Sequence, residues 1–194
     1  MKTGTIGALT AITVACLQLP RAATAAVVAP ITLRNTHGTL ATLPNPKARA
    51  TVLIFIDHEC PVSNGYAPEI SRLASEYKLQ NVDFDLIYAE PNFTNKQAVA
   101  HAKAFDYTIQ SFTQSWRKLV RKTGAKITPE AVVLSPTGTV LYDGRIDDQF
   151  ARIGIKRDRA SLHDLQNALG NILANKPVAV PRTKAVGCYI MLNN

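Results

Sequence analysis

Residues 51–64 read TVLIFIDHECPVSN, and this stretch decides which fold the chain adopts. Its first part, Thr51 to Ile56, is a continuous run of apolar and β-branched residues, which predicts a buried strand. Pro61 suits the first turn of a helix, where its missing N–H leaves no hydrogen bond unmade. Cys60 is therefore expected at the point where a central strand passes into a helix.

A cysteine at such a junction faces unpaired backbone N–H groups and the positive end of a helix dipole. Both favour the thiolate, which is the form that attacks disulfides and peroxides. Free cysteine is also among the most buried residue types, so an inert structural role for Cys60 is the alternative.

The first 25 residues have the composition of a secretory signal peptide. Lys2 supplies a positive start, residues 6–19 are apolar and uncharged, and residues 23–25 (ATA) form a small-residue cleavage site. The sequence therefore predicts a periplasmic or secreted protein with no transmembrane anchor after processing. Lipoprotein processing at Cys16 and a retained, uncleaved anchor are the alternatives, although the apolar run is short for a membrane span.

The chain is basic, with a net charge of +8 that becomes +6 once Lys2 and Arg21 are removed. Its two basic clusters, at residues 117–122 and 156–159, contain no interleaved aromatic residues, and no nucleic-acid-binding motif accompanies them. We therefore expect no nucleic-acid partner. A solvated basic face is the simple interpretation, and an acidic protein partner is the functional one.

Loss of residues 1–25 would leave two of the three cysteines, Cys60 and Cys188. An exported protein works in an oxidising compartment, where an even pair of cysteines can form a disulfide. The two thiols are therefore candidates for one redox pair.

The rest of the chain alternates strand and helix patterns. Beyond the first strand and a helix from Cys60 through Tyr77, we expect a hairpin at 32–43, strands at 82–88, 131–134 and 139–142, and helices from Thr94 or Asn95 to Phe105, from Ser115 to Lys122, and from a Ser161 cap to Leu173.

This order predicts an α/β protein with a central mixed β-sheet flanked by helices, an N-terminal hairpin and a C-terminal tail. One domain is expected at residues 26–175, followed by the tail at 176–194, which carries Cys188. Residues 147–159 are charged and are expected to be irregular.

Three features resemble the thioredoxin-like superfamily. The strand ends in Cys60-Pro61 at a helix start, Thr128-Pro129 directly precedes a strand as in the cis-proline loop of thioredoxins, and residues 135–145 are similar to the final hairpin of the redoxin branch, which includes peroxiredoxins and periplasmic thiol oxidoreductases. More narrowly, the chain resembles an exported redoxin family through CPVSN at 60–64, APE at 67–69, TPEA at 128–131, GRIDD at 144–148 and AVGC at 185–188.

The chain departs from the better-known members at three positions near Cys60. Thioredoxins have Cys-x-x-Cys, whereas Ser63 occupies the fourth place here. Peroxiredoxins have a threonine three residues before the reactive cysteine, whereas this chain has Asp57, a carboxylate expected to raise the pKa of a neighbouring thiol. Copper chaperones of this fold use Cys-x-x-x-Cys and a histidine, and here Asn64 replaces the second cysteine.

The resemblance implies a fold of the thioredoxin-like type and a nucleophilic role for Cys60. It also implies a cis peptide bond between Thr128 and Pro129. In proteins of this fold type, the residue before the cis-proline pairs with a substrate peptide through its main chain. The residues expected to contact substrate are therefore Thr128 and Pro129, together with Pro61 and Ser63. Ser63 could donate a hydrogen bond to the Cys60 sulphur or be an ordinary helix-surface serine.

Cys188 has three possible roles. It could resolve Cys60 through a redox-active disulfide, serve as an exposed thiol between chains or with partners, or be a metal ligand or inert thiol.

The leading hypothesis is an exported thiol–disulfide oxidoreductase that acts on a protein thiol or disulfide and needs no cofactor. A thiol peroxidase acting on peroxide is an alternative within the same class. A copper carrier that uses Cys60 and Cys188 with His58 or His101 is a different class, because thiolate and imidazole suit Cu(I). A redox-inactive interaction module is the third possibility.

Overall fold

The computed structural model describes residues 26–192, so the predicted signal peptide and Cys16 lie outside the described residues. The helices are α1 (Pro61–Gly65), α2 (Ala67–Lys78), α3 (Asn95–Ala104), α4 (Trp116–Thr123) and α5 (Asp164–Leu173). The strands are β1 (Ile31–Arg34), β2 (Leu40–Leu43), β3 (Ala50–Ile56), β4 (Val82–Tyr88), β5 (Ser111–Phe112), β6 (Ile127–Thr128), β7 (Glu130–Leu134), β8 (Val140–Gly144), β9 (Phe150–Arg152), β10 (Ile155–Lys156) and β11 (Cys188–Tyr189). None of these helices is long and apolar enough to cross a membrane.

The predicted central mixed β-sheet is present, with five strands in the order β5-β4-β3-β7-β8. Strand β3 pairs parallel with β4 on one side and antiparallel with β7 on the other. Every residue of β3 is buried, as its apolar run predicts. The carboxyl end of β3, where Cys60 follows, therefore lies at the middle of one sheet edge, the place where ligands usually bind in such folds.

Alternate residues of β3 pack into two separate cores because side chains of a strand point to opposite faces. Ile54 and Ile56 pack with residues of α2 and α5 on one face of the sheet. Leu53 and Phe55 pack on the other face with residues of α4 and of the β1–β2 hairpin. The predicted hairpin at 32–43 is thus confirmed, and it closes the second face.

The helix predicted from Cys60 through Tyr77 is interrupted at Tyr66, which separates α1 from α2. Pro68 explains the interruption because it has no N–H to donate to the carbonyl of Asn64 four residues earlier. Tyr66 is buried and donates to the Asp147 carboxylate, which holds the junction against the loop after β8.

Two sequence predictions in the last third of the chain are wrong. Ser161 does not cap α5, which begins at Asp164; its N–H and hydroxyl both donate to the Asp148 carboxylate instead. The segment 147–159 is not wholly irregular, since β9 and β10 form a small hairpin around Gly154. The residues of that hairpin are mostly exposed, so the sequence carries no alternation of buried positions there.

The C-terminal tail docks on the domain at two places. Near its start, Thr183 donates its backbone N–H to Asp143, and Arg182 pairs with the Asp143 carboxylate. Further on, β11 pairs antiparallel with β6, an association that the sequence did not predict.

Candidate active site at the strand-to-helix junction

Cys60 lies where the sequence predicts, between β3 and α1. It is the N-cap residue of α1, with extended backbone angles, and Pro61 occupies the first turn of the helix. Its N–H donates to the carbonyl of Asp57 and its own carbonyl accepts from Asn64, so backbone bonds fix its position on both sides. The side chain is enclosed, since Cys60 is only 1% exposed.

The peptide bond between Thr128 and Pro129 is cis, as the resemblance implies. Because Phe55 near the end of β3 is the register partner of Glu130, the loop before β7 lies beside Cys60. The Cys60 thiol donates to the Thr128 carbonyl at 3.0 Å. Two segments far apart in the chain therefore meet at one sulphur atom.

Strand β11 brings Cys188 to the same place. Cys188 is the register partner of Thr128, the residue before the cis-proline. The two thiols are close enough for each to shift the pKa of the other, and both cysteines are in the free thiol form. The described structure thus brings Cys60 and Cys188 together beside Thr128.

The pKa of the Cys60 thiol is below its ordinary value. Burial opposes ionisation most strongly, but hydrogen bonds from the Cys188 thiol, from the Ser63 backbone and hydroxyl, and from the Cys188 backbone outweigh it. The Ser63 hydroxyl is buried without a hydrogen-bond partner among the described residues while Cys60 is protonated, so a thiolate would give it one. The arrangement therefore favours the nucleophilic form of Cys60.

The pKa of Cys188 moves the other way, to about 12. Burial is the largest cause of this raised pKa, and the hydrogen bond to Cys60, the charge of Cys60 and the charge of Asp57 contribute in decreasing order. Cys60 is therefore the more acidic of the two thiols. Asp57 was expected to raise the pKa of Cys60, but the Cys60 pKa is lowered, and the charge of Asp57 raises the pKa of Cys188 instead. The Asp57 carboxylate accepts the backbone N–H of Glu59.

Two residues that position this site, Glu130 and Gly187, were not predicted from the sequence. The Glu130 carboxylate accepts the backbone N–H groups of Lys126 and Ile127 at 2.7 and 2.9 Å, which shapes the strand that precedes the cis-proline. Burial raises the pKa of Glu130. The sequence signal for this role was an acidic residue directly after the proline, because a buried carboxylate needs N–H groups nearby to donate to it.

The second of these residues is Gly187, directly before Cys188. A Cβ at this position would lie 1.9 Å from the Thr128 carbonyl oxygen, so only glycine permits so close an approach of β11 to β6. The sequence signal for this close approach was the glycine directly before Cys188 in the tail.

The histidines are held away from the two sulphur atoms. His58 places Nδ1 2.5 Å from the Glu90 carboxylate and stacks on Phe93. His101 is buried, with Nδ1 bonded to the Tyr88 hydroxyl and Nε2 to Asn64 Oδ1. Burial lowers the pKa of His101, with the charge of His58 adding to the effect. Both ring nitrogens of His101 are engaged, which weakens the copper-carrier hypothesis for this residue, whereas His58 is held through Nδ1 only.

The residues that could hold a metal ion form a different group. Ligand atoms of Asp57, His58 and Glu90 lie within 4.8 Å of one another. Two carboxylates and one imidazole are hard or borderline donors, unlike the sulphur-rich set expected for Cu(I). The His58–Glu90 hydrogen bond accounts for the closest contact in this group without an ion.

Solved structures share this architecture along most of their length. A hypothetical protein from Sinorhizobium meliloti 1021 matches with a TM-score of 0.74 and 24% identity, covering 88% of this chain and 94% of that chain. An uncharacterized conserved protein from Geobacillus kaustophilus matches with a TM-score of 0.72 and 22% identity, covering 88% and 93%. The thioredoxin domain of a thiol-disulfide oxidoreductase from Bacteroides vulgatus matches with a TM-score of 0.56 and 12% identity, covering 79% and 99%.

These similarities confirm the predicted thioredoxin-like fold. No protein-family model matches the chain, and no curated protein does. Membership of the narrower exported redoxin family stays a prediction.

Proposed function

We propose that this protein is a thiol–disulfide oxidoreductase in which Cys60 is the nucleophile and Cys188 is the resolving cysteine. The observation that carries the proposal is that Thr128 contacts both cysteines: its carbonyl accepts the Cys60 thiol, and Thr128 is the register partner of Cys188. The proximity of the two thiols lowers the pKa of Cys60 and raises that of Cys188. The Bacteroides vulgatus neighbour belongs to a thiol-disulfide oxidoreductase, which agrees with this chemistry.

The reaction runs through two exchanges of sulphur–sulphur bonds. The Cys60 thiolate attacks one sulphur of a partner disulfide, forms a Cys60–partner disulfide and releases the other partner sulphur as a thiolate. Cys188 then loses its proton and attacks the Cys60 sulphur, which forms the Cys60–Cys188 disulfide and releases the second partner thiolate. The partner gains two electrons, and a dithiol donor returns both cysteines to the reduced form.

The coupled pKa values give this sequence an order. While Cys60 is a thiolate, its hydrogen bond and charge both raise the pKa of Cys188, so Cys188 does not compete as a nucleophile. Once Cys60 is bonded to the partner, that charge is gone and both contributions disappear. Cys188 therefore ionises more readily at the step that needs its thiolate.

The neighbours of Cys60 fit substrate-binding roles in the same proposal. Thr128 and Pro129 present a main-chain edge beside the sulphur, and Ser63 offers a hydroxyl to the thiolate. Pro61 fixes the first turn of α1 without placing a side-chain donor next to the sulphur. A protein thiol or disulfide is the expected partner, because such an edge pairs with an extended chain.

Export is part of the proposal, since a disulfide-exchanging pair suits an oxidising compartment. We propose cleavage after residue 25, a domain at 26–175 and a functional tail at 176–194. Edman sequencing of the protein recovered from the extracytoplasmic fraction of a bacterial host tests this directly: a first residue of Ala26 supports it, and retention of Met1 would contradict it.

Reduction of insulin disulfides with dithiothreitol as the donor tests the activity. Turnover should be lost in Cys60→Ser, and Cys188→Ser should accumulate a mixed disulfide on Cys60. Ser75→Ala is a matched control, because Ser75 is an exposed helix residue that bonds only to its own helix. Undiminished turnover in Cys60→Ser would overturn the proposal, and peroxide consumption measured in parallel separates it from a thiol peroxidase.

A further inference from the structure

The reduced site is closed to a second polypeptide. Cys60 is 1% exposed, and its sulphur is covered by the Thr128 carbonyl and the Cys188 thiol. A disulfide can be attacked only when its sulphur lies in line with the attacking thiolate. That position next to Cys60 is held by Cys188, so a partner sulphur has to take the place of Cys188.

Strand β11 is lightly held. It has two residues. Beyond its pairing with β6, the Ile190 N–H donates to the Lys126 carbonyl at 2.9 Å, and the Cys188 carbonyl accepts the Thr128 hydroxyl at 3.4 Å. Tyr189 and Met191 face solvent, with 78% and 56% of their surface exposed, while Ile190 between them packs against the core that contains Leu53 and Phe55. A cavity of about 830 Å³ borders the tail from Arg182 to Gly187 and at Tyr189, which leaves one side of this segment without close packing.

The tail is held more firmly upstream. Asp143 donates its N–H to the Pro181 carbonyl and accepts the Thr183 N–H, and Arg182 forms a bidentate ion pair with the Asp143 carboxylate. The Thr183 hydroxyl bonds to Tyr142 and accepts the Arg145 N–H. Residues 184–187 therefore connect a fixed anchor to a short, exposed strand, so β11 can leave while the anchor stays.

We propose that β11 is a displaceable strand that occupies the partner-binding edge of β6. The partner is an extended, cysteine-bearing protein segment that replaces β11 in the same register. This inference rests on the proposed function, because it assigns the partner of the same cysteine pair. The tail then has two roles. It covers Cys60 between reactions, and when it binds again to β6 it positions Cys188 to attack the Cys60–partner disulfide.

The register also defines the partner segment. Residue 187 lies so close to Thr128 that a Cβ would meet the carbonyl oxygen at 1.9 Å. Within this chain, so close an approach requires glycine directly before Cys188, while a partner segment pairs with the same edge of β6 through its own main chain. The cysteine side chain then points at Cys60, and the main chain satisfies the Lys126 carbonyl that β11 leaves.

The first test replaces Gly187→Ala in the full mature chain. The clash with Thr128 should expel β11 and expose Cys60. The rate of Cys60 alkylation by iodoacetamide, measured at a pH above the thiol pKa and read out by peptide mass mapping, should rise roughly tenfold or more. Hydrogen exchange should quicken at Ile190, whose N–H donates to the Lys126 carbonyl, and remain slow at Thr183 and in β3. Gly170→Ala is the matched control, since a Cβ there has no neighbour within 4 Å.

The second test adds a synthetic peptide of residues 184–192 carrying Cys188→Ser to the Gly187→Ala chain. This peptide should restore slow alkylation of Cys60, and the same peptide with Gly187→Ala should not. Equal effects of the two peptides, or wild-type alkylation in the Gly187→Ala chain, would overturn the inference. These readouts need no turnover, so a failure here is distinct from a failure of the insulin assay.

Discussion

Cys188 is the register partner of Thr128, whose carbonyl accepts the Cys60 thiol at 3.0 Å, so the two cysteines meet although 128 residues separate them in the sequence. Their proximity links the charge states of the two thiols, because it lowers the pKa of Cys60 and raises that of Cys188. A site without a Cys-x-x-Cys motif thereby gains a second cysteine from the tail.

Cys188→Ala should raise the pKa of Cys60, because burial continues to oppose ionisation while the donor is lost. Cys188→Ser should raise it less, since a hydroxyl also donates. The pH dependence of Cys60 alkylation measures the effect. A profile in Cys188→Ala that matches the wild type would show that the tail thiol does not tune Cys60.

Ser63→Ala should also raise the pKa of Cys60, because the thiolate loses a hydroxyl donor. The free energy of unfolding should change by less than about 1 kcal/mol, since the buried hydroxyl has no partner among the described residues while Cys60 is protonated. Alkylation profiles and urea unfolding test the two parts, with Ser75→Ala as the control. A large loss of stability with no change in the pH profile would assign Ser63 to packing alone.

Asp85 in β4 should make the protein less stable as the pH rises. Burial raises its pKa from 3.8 to about 7, against the hydrogen bond from Gln110. The folded state thus holds the proton more tightly than the unfolded state, so this contribution is complete below pH 4 and is lost as the pH rises to about 7.

The size of that loss approaches about 4 kcal/mol, from 1.36 kcal/mol for each pKa unit. Asp85→Asn should remove this part of the pH dependence, because the amide oxygen still accepts from Gln110 and carries no charge. Chemical unfolding between pH 4 and 8 measures it, with the exposed Asp158→Asn as the control. Parallel curves for Asp85→Asn and the wild type would show that Asp85 is not the group responsible.

Glu130→Ala should destabilise the fold by about 2–3 kcal/mol, because the N–H groups of Lys126 and Ile127 lose their acceptor. Hydrogen exchange at 126–128 should quicken, and Cys60 should become easier to alkylate as β6 loosens. Glu130→Gln keeps an oxygen acceptor and should retain most of the protection. Equal losses in both variants would mean that the charge of Glu130, rather than its position as acceptor, is what matters.

The strand-to-helix junction could be predicted because its signal is local. The run before Cys60 is apolar over the length of a strand, and the proline after it fits a helix start. Thr94 was recognisable as a helix cap, and it forms a capping box with Gln97. The cis bond at Pro129 followed from resemblance rather than from composition.

The sequence named Cys188 as a possible resolving partner of Cys60 but left the position of the tail open, because the strand pairing that brings Cys188 there is short and distant in the chain. A strand of two residues shows no periodicity, and the tail contacts Thr128 mainly through its backbone. The wrong cap at Ser161 has the same origin, since its partner Asp148 lies in a separate loop. Side chains that bond across the fold leave no pattern along the chain.

The central claim is that Cys188 resolves Cys60 within one chain. The most direct test treats the reduced mature protein with oxidised glutathione and maps its disulfides by mass spectrometry. The wild type should carry a Cys60–Cys188 bond and no lasting adduct, while Cys188→Ser should keep glutathione on Cys60. A wild type that keeps glutathione on Cys60, or links Cys60 only between two chains, would contradict this mechanism.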